Sequence, residues 1–199
     1  MTVRRGAARR TELLDALVEL LLAEGFASFT LDDLAARLHC SKRTLYALAS
    51  SKEQLVRAAV VHFFRNATVT VEQATAGVSD PAGRIAAYLQ AVADALRPAS
   101  AAFIDDVAAF APATEIYERN TRAAATRIRE FVDDGVAAGA FRDVHTGFVA
   151  DVVASTMVRI QRREVAATTG LSDAEAYTEL AVLVTTGLRI TESAGHGSP

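Results

Sequence analysis

The chain has 199 residues, of which 51% are hydrophobic and 23% charged, with a formal net charge of −3 and a single cysteine, Cys40. This length supports a core without covalent staples, the balance excludes disordered and fibrous chains, and the lone cysteine excludes a disulfide framework. No run of about 18 uncharged apolar residues is present to cross a membrane, and the start, MTVRRGAARRTE, has no apolar stretch before a small-residue cleavage site, so a cytoplasmic location is expected.

Almost every segment reads as helix. In TELLDALVELLLAEG, Leu13, Leu14, Leu17, Val18, Leu20 and Leu21 recur at the helical period and stop at Gly25, which predicts a first helix over about 9–24. Thr30 is a cap with Asp32 and Asp33 in the following turn, predicting a second helix over about 31–38. Ser41 opens a third through KRTLYAL, and Ser51 a fourth that begins KEQLV. Its apolar pattern continues to Gly77 and Ser79-Asp80-Pro81, and within it only ATVTVE also alternates as a strand would. Five more helices are predicted over about 82–97, 99–110, 114–138, 146–168 and 173–192, bounded by Pro98, Pro112, Gly139 and Gly170. The predicted fold is all-α with about nine helices, no internal repeat, and a disordered tail, GHGSP.

Charge is unevenly placed. Residues 1–57 hold nine Lys/Arg against seven Asp/Glu, and residues 58–199 twelve against seventeen, so one end of the chain attracts a polyanion that the other repels. The chain has only two lysines, Lys42 and Lys52, and both fall in CSKRTLYALASSKEQLV, residues 40–56. A helix, a tight turn and a second short helix at 31–48 have the layout of a helix-turn-helix. In that motif the leading residues of the second helix meet base edges in the major groove of DNA while neighbours hold phosphates. Ser41, Lys42, Arg43 and Thr44 occupy the leading turn, Tyr46 follows, and Leu45 and Leu48 face inward as anchors. Lys52, in the first turn of the next helix, is expected to meet phosphate. On this reading both lysines face DNA.

The ordered set Gly25-Phe26, Thr30, Ser41-Lys42-Arg43-Thr44-Leu45-Tyr46 and Ser51-Lys52-Glu53-Gln54-Leu55 resembles the DNA-binding domain of TetR-family transcriptional regulators. The resemblance implies a helix-turn-helix domain at 1–57 with a basic N-terminal arm, followed at 58–195 by a larger helical ligand-binding and dimerisation domain. It implies a homodimer on a palindromic double-stranded DNA operator, with Thr30, Ser41, Lys42, Arg43, Thr44, Tyr46 and Lys52 at the DNA. Where the family often has Tyr-x-His-Phe, this chain has Tyr46-Ala47-Leu48-Ala49, without the phosphate or base contact and the aromatic plug of that pattern.

The stretch FVDDGVAAGAFRDV, residues 131–144, resembles the end of that family's long seventh helix, which makes the last two predicted helices the dimer-forming pair. Phe148, Val152 and Thr156 fall on the first of these, and Leu180, Leu183, Val184 and Gly187 on the second. A pocket for a small, mostly apolar effector is expected from Phe63, Phe64, Tyr88, Phe103, Phe110, Tyr117 and Met157, with Asp105, Asp106, Arg122 and Arg159 as polar candidates. Core packing within one subunit is the competing account of these rings and stripes. His39, His62, His145 and His196 lack metal-ligand spacing, and neither a phosphate-binding glycine loop nor a nucleophile and base pattern occurs, so no metal, no cofactor and no enzymatic activity is expected. Asp105-Asp106 and Asp133-Asp134 read as solvated faces, Arg162-Arg163 as a helix-end partner or basic patch, and Cys40 as a small buried thiol. The expected function is a ligand-responsive repressor that leaves its operator when the effector binds, and the alternative is a helical dimerising interaction module without a ligand.

Overall fold

Caps and breakers set the course of the chain. The structure, a computed structural model, describes residues 2–190 and their side chains other than those of residues 2–7 and 161. The tail GHGSP, His196 and the last two residues of the final predicted helix lie outside the described residues. Helix α1 (Thr2–Glu24) ends at Gly25, whose φ is 76°. It begins well before the expected start near residue 9, because the alanines and arginines of the basic arm favour helix and no proline or cap intervenes. The arm is thus an extension of α1.

Helix α2 (Leu31–Arg37) starts in a capping box, in which Thr30 Oγ1 accepts the Asp33 N–H and the Asp33 carboxylate accepts the Thr30 N–H. Ser41 caps α3 (Lys42–Tyr46) and Ser51 caps α4 (Lys52–Thr75). The strand-like stretch ATVTVE is helical within α4, where Thr68 and Thr70 donate their hydroxyls to the carbonyls of Phe64 and Asn66 and Val71 is buried. Asp80 caps α5 (Pro81–Leu96) and Ser100 caps α6 (Ala101–Ala109). Pro112 lies in the first turn of α7 (Ala111–Ala137) instead of marking the end of its predecessor, since a first-turn residue needs no N–H donor.

The helix expected over 146–168 is two, α8 (Thr146–Gln161) and α9 (Glu164–Thr169). Arg163 breaks it with a φ of 61°, a left-handed conformation that costs a non-glycine residue about 1 kcal/mol or more. That conformation accompanies two ion pairs of its guanidinium, 3.0 Å from Asp173 and 3.8 Å from Asp105, so Arg162-Arg163 is a junction and not a basic patch. With α10 (Asp173–Leu188) the described residues form ten helices, one more than expected, and the only extended pairing among them is a bridge between Phe141 and Arg189. None of these helices is long and apolar enough to cross a membrane.

Leu17, Leu21, Leu34, Leu45 and Leu55 form the core of the N-terminal helices, and α4 carries that core onward to pack against α5 and α7. In the larger part α10 packs on α5, and α8 on α7. The α7–α8 turn is set by Gly135, where an added Cβ would stand 2.2 Å from the Phe141 ring. Gly135→Ala should therefore lower stability by about 1–3 kcal/mol, seen as an earlier midpoint in urea unfolding.

Candidate DNA interface and effector cavity

Leu45 is buried where α3 packs against α2, leaving Lys42, Arg43 and Tyr46 exposed, with 52% of Tyr46 accessible. Two of the predicted hydroxyl contacts, Thr30 and Ser41, are also caps. Thr30 Oγ1 donates to Asp33 Oδ2 at 2.6 Å, and Ser41 Oγ accepts the Thr44 N–H at 3.1 Å while sharing a 2.8 Å hydrogen bond with Thr44 Oγ1. These bonds to Thr30 hold the Asp33 carboxyl below its usual range.

The structure gives both lysines an internal partner. Lys42 Nζ is 2.6 Å from the Asp32 carboxylate, whose hydrogen bond raises the lysine pKa, and both groups are solvent-exposed. Lys52 Nζ donates to the Ala27 carbonyl at 3.0 Å and is half-buried, so it ties the start of α4 to the loop between α1 and α2. Arg10, in the basic arm, donates to Ala47 O at 3.4 Å and Leu48 O at 3.3 Å, the exposed carbonyls at the C-terminus of α3. Local sequence carries no sign of that role, since the partners lie 37 and 38 residues away. Leu48 and Ala49, which stand where the family often has larger side chains, pack half-buried against the core, as does Cys40, whose burial pushes its thiol up from its ordinary pKa.

Behind this unit, Phe63 and Phe64 of α4, Tyr88 of α5, Tyr117 of α7 and Met157 of α8 line one cavity of about 80 Å³. Five of the seven predicted pocket residues thus come together. Phe103 and Phe110 do not line it: Phe103 lies 6.2 Å from the rings of both Phe26 and Phe63, and Phe110 lies 6.0 Å from Phe26, because α6 is packed against α1 and α7 and turns these rings toward Phe26. The polar candidates are also elsewhere. Asp106 accepts backbone N–H bonds in the α1–α2 loop, Arg122 pairs with Glu118, and Arg159 pairs with Glu164. Asp105, paired with Arg163, and Asp106 are accordingly not merely solvated faces. Tyr177 of α10 lines the cavity too, and only the 3.6-residue period, which turns it well away from the exposed Val182 and Leu183, could have marked it as inward-facing. Burial raises the Tyr88 phenol to about 12 and the Tyr117 phenol well above its ordinary value, so both stay protonated donors.

All seven residues predicted for the dimer line one open groove of about 420 Å³ between α8 and α10. Phe148 is 66% exposed and Leu183 70%, while Leu180 is buried at the groove floor. Such an apolar surface is unusual on a helix that faces water. Among the described residues, no cluster of three His, Cys, Asp or Glu could hold a metal ion.

A short exposed helix held across a capped partner helix, at one end of a larger helical body, defines the helix-turn-helix DNA-binding class of transcriptional regulator. Residues 13–59 match the family model of bacterial regulatory proteins, tetR family. The chain is 61% identical over 44 residues to an uncharacterised helix-turn-helix transcriptional regulator, YvaF, of Bacillus subtilis, covering 22% of this chain and 23% of that protein. It is 38% identical over 58 residues to the DNA-binding transcriptional repressor TetR of Mycobacteroides abscessus, covering 29% and 30%. The match therefore spans less than a third of the length of either relative. Over the whole fold the chain resembles a transcriptional regulator of Saccharomonospora viridis solved with choline, at a TM-score of 0.77 and 15% identity over 93% of this chain and 100% of that one. Residues 13–59 thus carry the DNA-binding module of the tetR family, and the rest of the chain is similar to such regulators in fold.

Proposed function

We propose that this regulator is a homodimeric repressor whose two α3 helices read the halves of a palindromic operator and which releases it when a small molecule enters the cavity. One observation carries the reading: α4 is continuous from Lys52, beside the helix-turn-helix, through Phe63 and Phe64 in the cavity wall. A boundary at 57/58 between DNA-binding and effector domains therefore falls inside a helix, and tilting that helix changes the spacing of the recognition helices. The exposed apolar groove of α8 and α10 fits a two-fold interface, since the same residues from each copy would meet across the axis. A hundredfold loss of operator affinity requires the effector to favour the released state by about 2.7 kcal/mol.

The cavity walls fit a small, mostly apolar effector, with Tyr88 and Tyr117 as donors. Its volume of about 80 Å³ admits only a few heavy atoms, so a larger effector must push the aromatic wall outward. The Saccharomonospora viridis protein was solved with choline, a molecule of modest size with an apolar surface around its charge, which makes quaternary ammonium compounds sensible first probes. An interaction module without a ligand predicts a filled core, and the cavity favours the effector reading instead. A cytoplasmic location and the lack of enzymatic activity belong to the same proposal.

The test is affinity for the DNA flanking the chain's own coding region against an unrelated duplex at the same salt. A preference of about a thousandfold is expected, and equal weak binding to both would overturn the reading.

A further inference from the structure

We propose that Asp106 is a positioning residue that latches the DNA-binding unit onto α6 and thereby fixes the direction in which the recognition helix points. The inference deepens the function proposed above and rests on its assignment of α3 to DNA.

The α1–α2 loop is held from outside its own unit. Asp106 Oδ2 accepts the N–H of Phe26 at 2.5 Å and of Ala27 at 2.8 Å, two charge-assisted bonds across 80 residues of chain. Next to them the Ser100 N–H donates to the Leu22 carbonyl at 2.8 Å, so α6 grips the last turn of α1 at one point and the α1–α2 loop at another. Gly25 makes the approach possible: a Cβ there would stand 2.6 Å from Asp106 Oδ2 and 3.2 Å from Ala102, and its φ of +76° already favours glycine. Ala27 is then gripped from both sides, its N–H by Asp106 and its carbonyl by Lys52 at the start of α4.

The latch also lies within reach of the cavity. Rings run in contact from Tyr117 to Phe64 at 5.1 Å, to Phe63 at 5.0 Å, to Phe103 at 6.2 Å and to Phe26 at 6.2 Å. Tyr117, Phe64 and Phe63 are cavity wall, and Phe103 sits on α6 one turn before Asp106. Outward movement of the wall pushes on α6, and a shift of about 1 Å suffices to break hydrogen bonds of this length.

The test is an intramolecular distance that does not depend on DNA or effector. Spin labels are placed on Ala36→Cys of α2 and Ala123→Cys of α7, both exposed positions, in a Cys40→Ser background, and labelled chains are diluted with unlabelled ones. The parent should give one narrow distance, Asp106→Ala a broadened or shifted distribution, and Asp106→Asn, which keeps an acceptor oxygen without the charge, an intermediate one. Asp106→Asn decides the matter alone if Asp106→Ala does not fold. In parallel, Asp106→Ala should lose about tenfold or more of the parent's preference for its cognate duplex while binding an unrelated duplex unchanged, because orientation matters only when both half-sites must be met. Distance distributions unchanged in the variants overturn the latch. A parent with no preference for any duplex overturns the functional reading, and the distance measurement still decides the latch.

Discussion

Leu183→Asp is expected to leave the chain monomeric in light scattering and to remove operator binding at concentrations that saturate the wild type. Leu183 is the most exposed large apolar residue among those described and stands on the rim of the α8–α10 groove with Phe148 and Val152. In a two-fold interface each substitution occurs twice, and the two copies lie near one another across the axis. Burying an unpaired carboxylate costs several kcal/mol per copy. A total of about 6 kcal/mol weakens dimerisation by roughly 10⁴-fold. The far-UV signal should be unchanged, because Leu183 contributes little to the core of its own subunit. If the variant stays dimeric, the groove is not the interface. If it becomes monomeric yet binds the operator as tightly as before, the two half-sites are not read by a pair.

Legibility in the sequence tracks the range of the interaction. Thr30, Ser41 and Ser51 are legible as helix starts because a cap is satisfied by an N–H three residues on, within the same few letters of sequence. Leu45 as an anchor and Tyr46 as an exposed residue follow from the helical period alone. Pro112 is ambiguous in sequence, because the residue that ends one helix also suits the first turn of the next. Arg163 is illegible for a different reason: its left-handed backbone is matched by Asp173 and Asp105, partners 10 and 58 residues distant. The cavity shows the same division. Large side chains on α4, α5, α7 and α8 could be named as candidates, but that Phe103 and Phe110 serve the junction instead depends on where α6 lies. Asp106 is the extreme case, since nothing beside it in the chain hints at backbone donors 79 and 80 residues away.

The recognition helix supplies the second large effect, in which Tyr46→Ala and Lys42→Ala separate from Lys52→Ala by what they do to specificity. Tyr46 is exposed at the end of α3 and Lys42 at its start, so both can meet base edges or the sugar-phosphate wall of the groove. Losing either should reduce cognate affinity by about tenfold per half-site and a hundredfold for the dimer, with little change on an unrelated duplex. Asp32 does not prevent this: its pair with Lys42 is exposed and easily exchanged for a phosphate or base acceptor. Lys52 differs. A phosphate contact carries no sequence information, so Lys52→Ala should weaken all duplexes alike and lower the salt slope by about 0.9 per subunit. Its bond to the Ala27 carbonyl adds a second consequence, because removing it also loosens the loop that Asp106 grips from the other side. A cognate preference that falls along with the salt slope in Lys52→Ala would mean that this lysine orients the unit as well as meeting phosphate. A preference left intact while the slope falls would assign it to phosphate alone. If neither Tyr46→Ala nor Lys42→Ala changes the preference, α3 is not the helix that reads the operator.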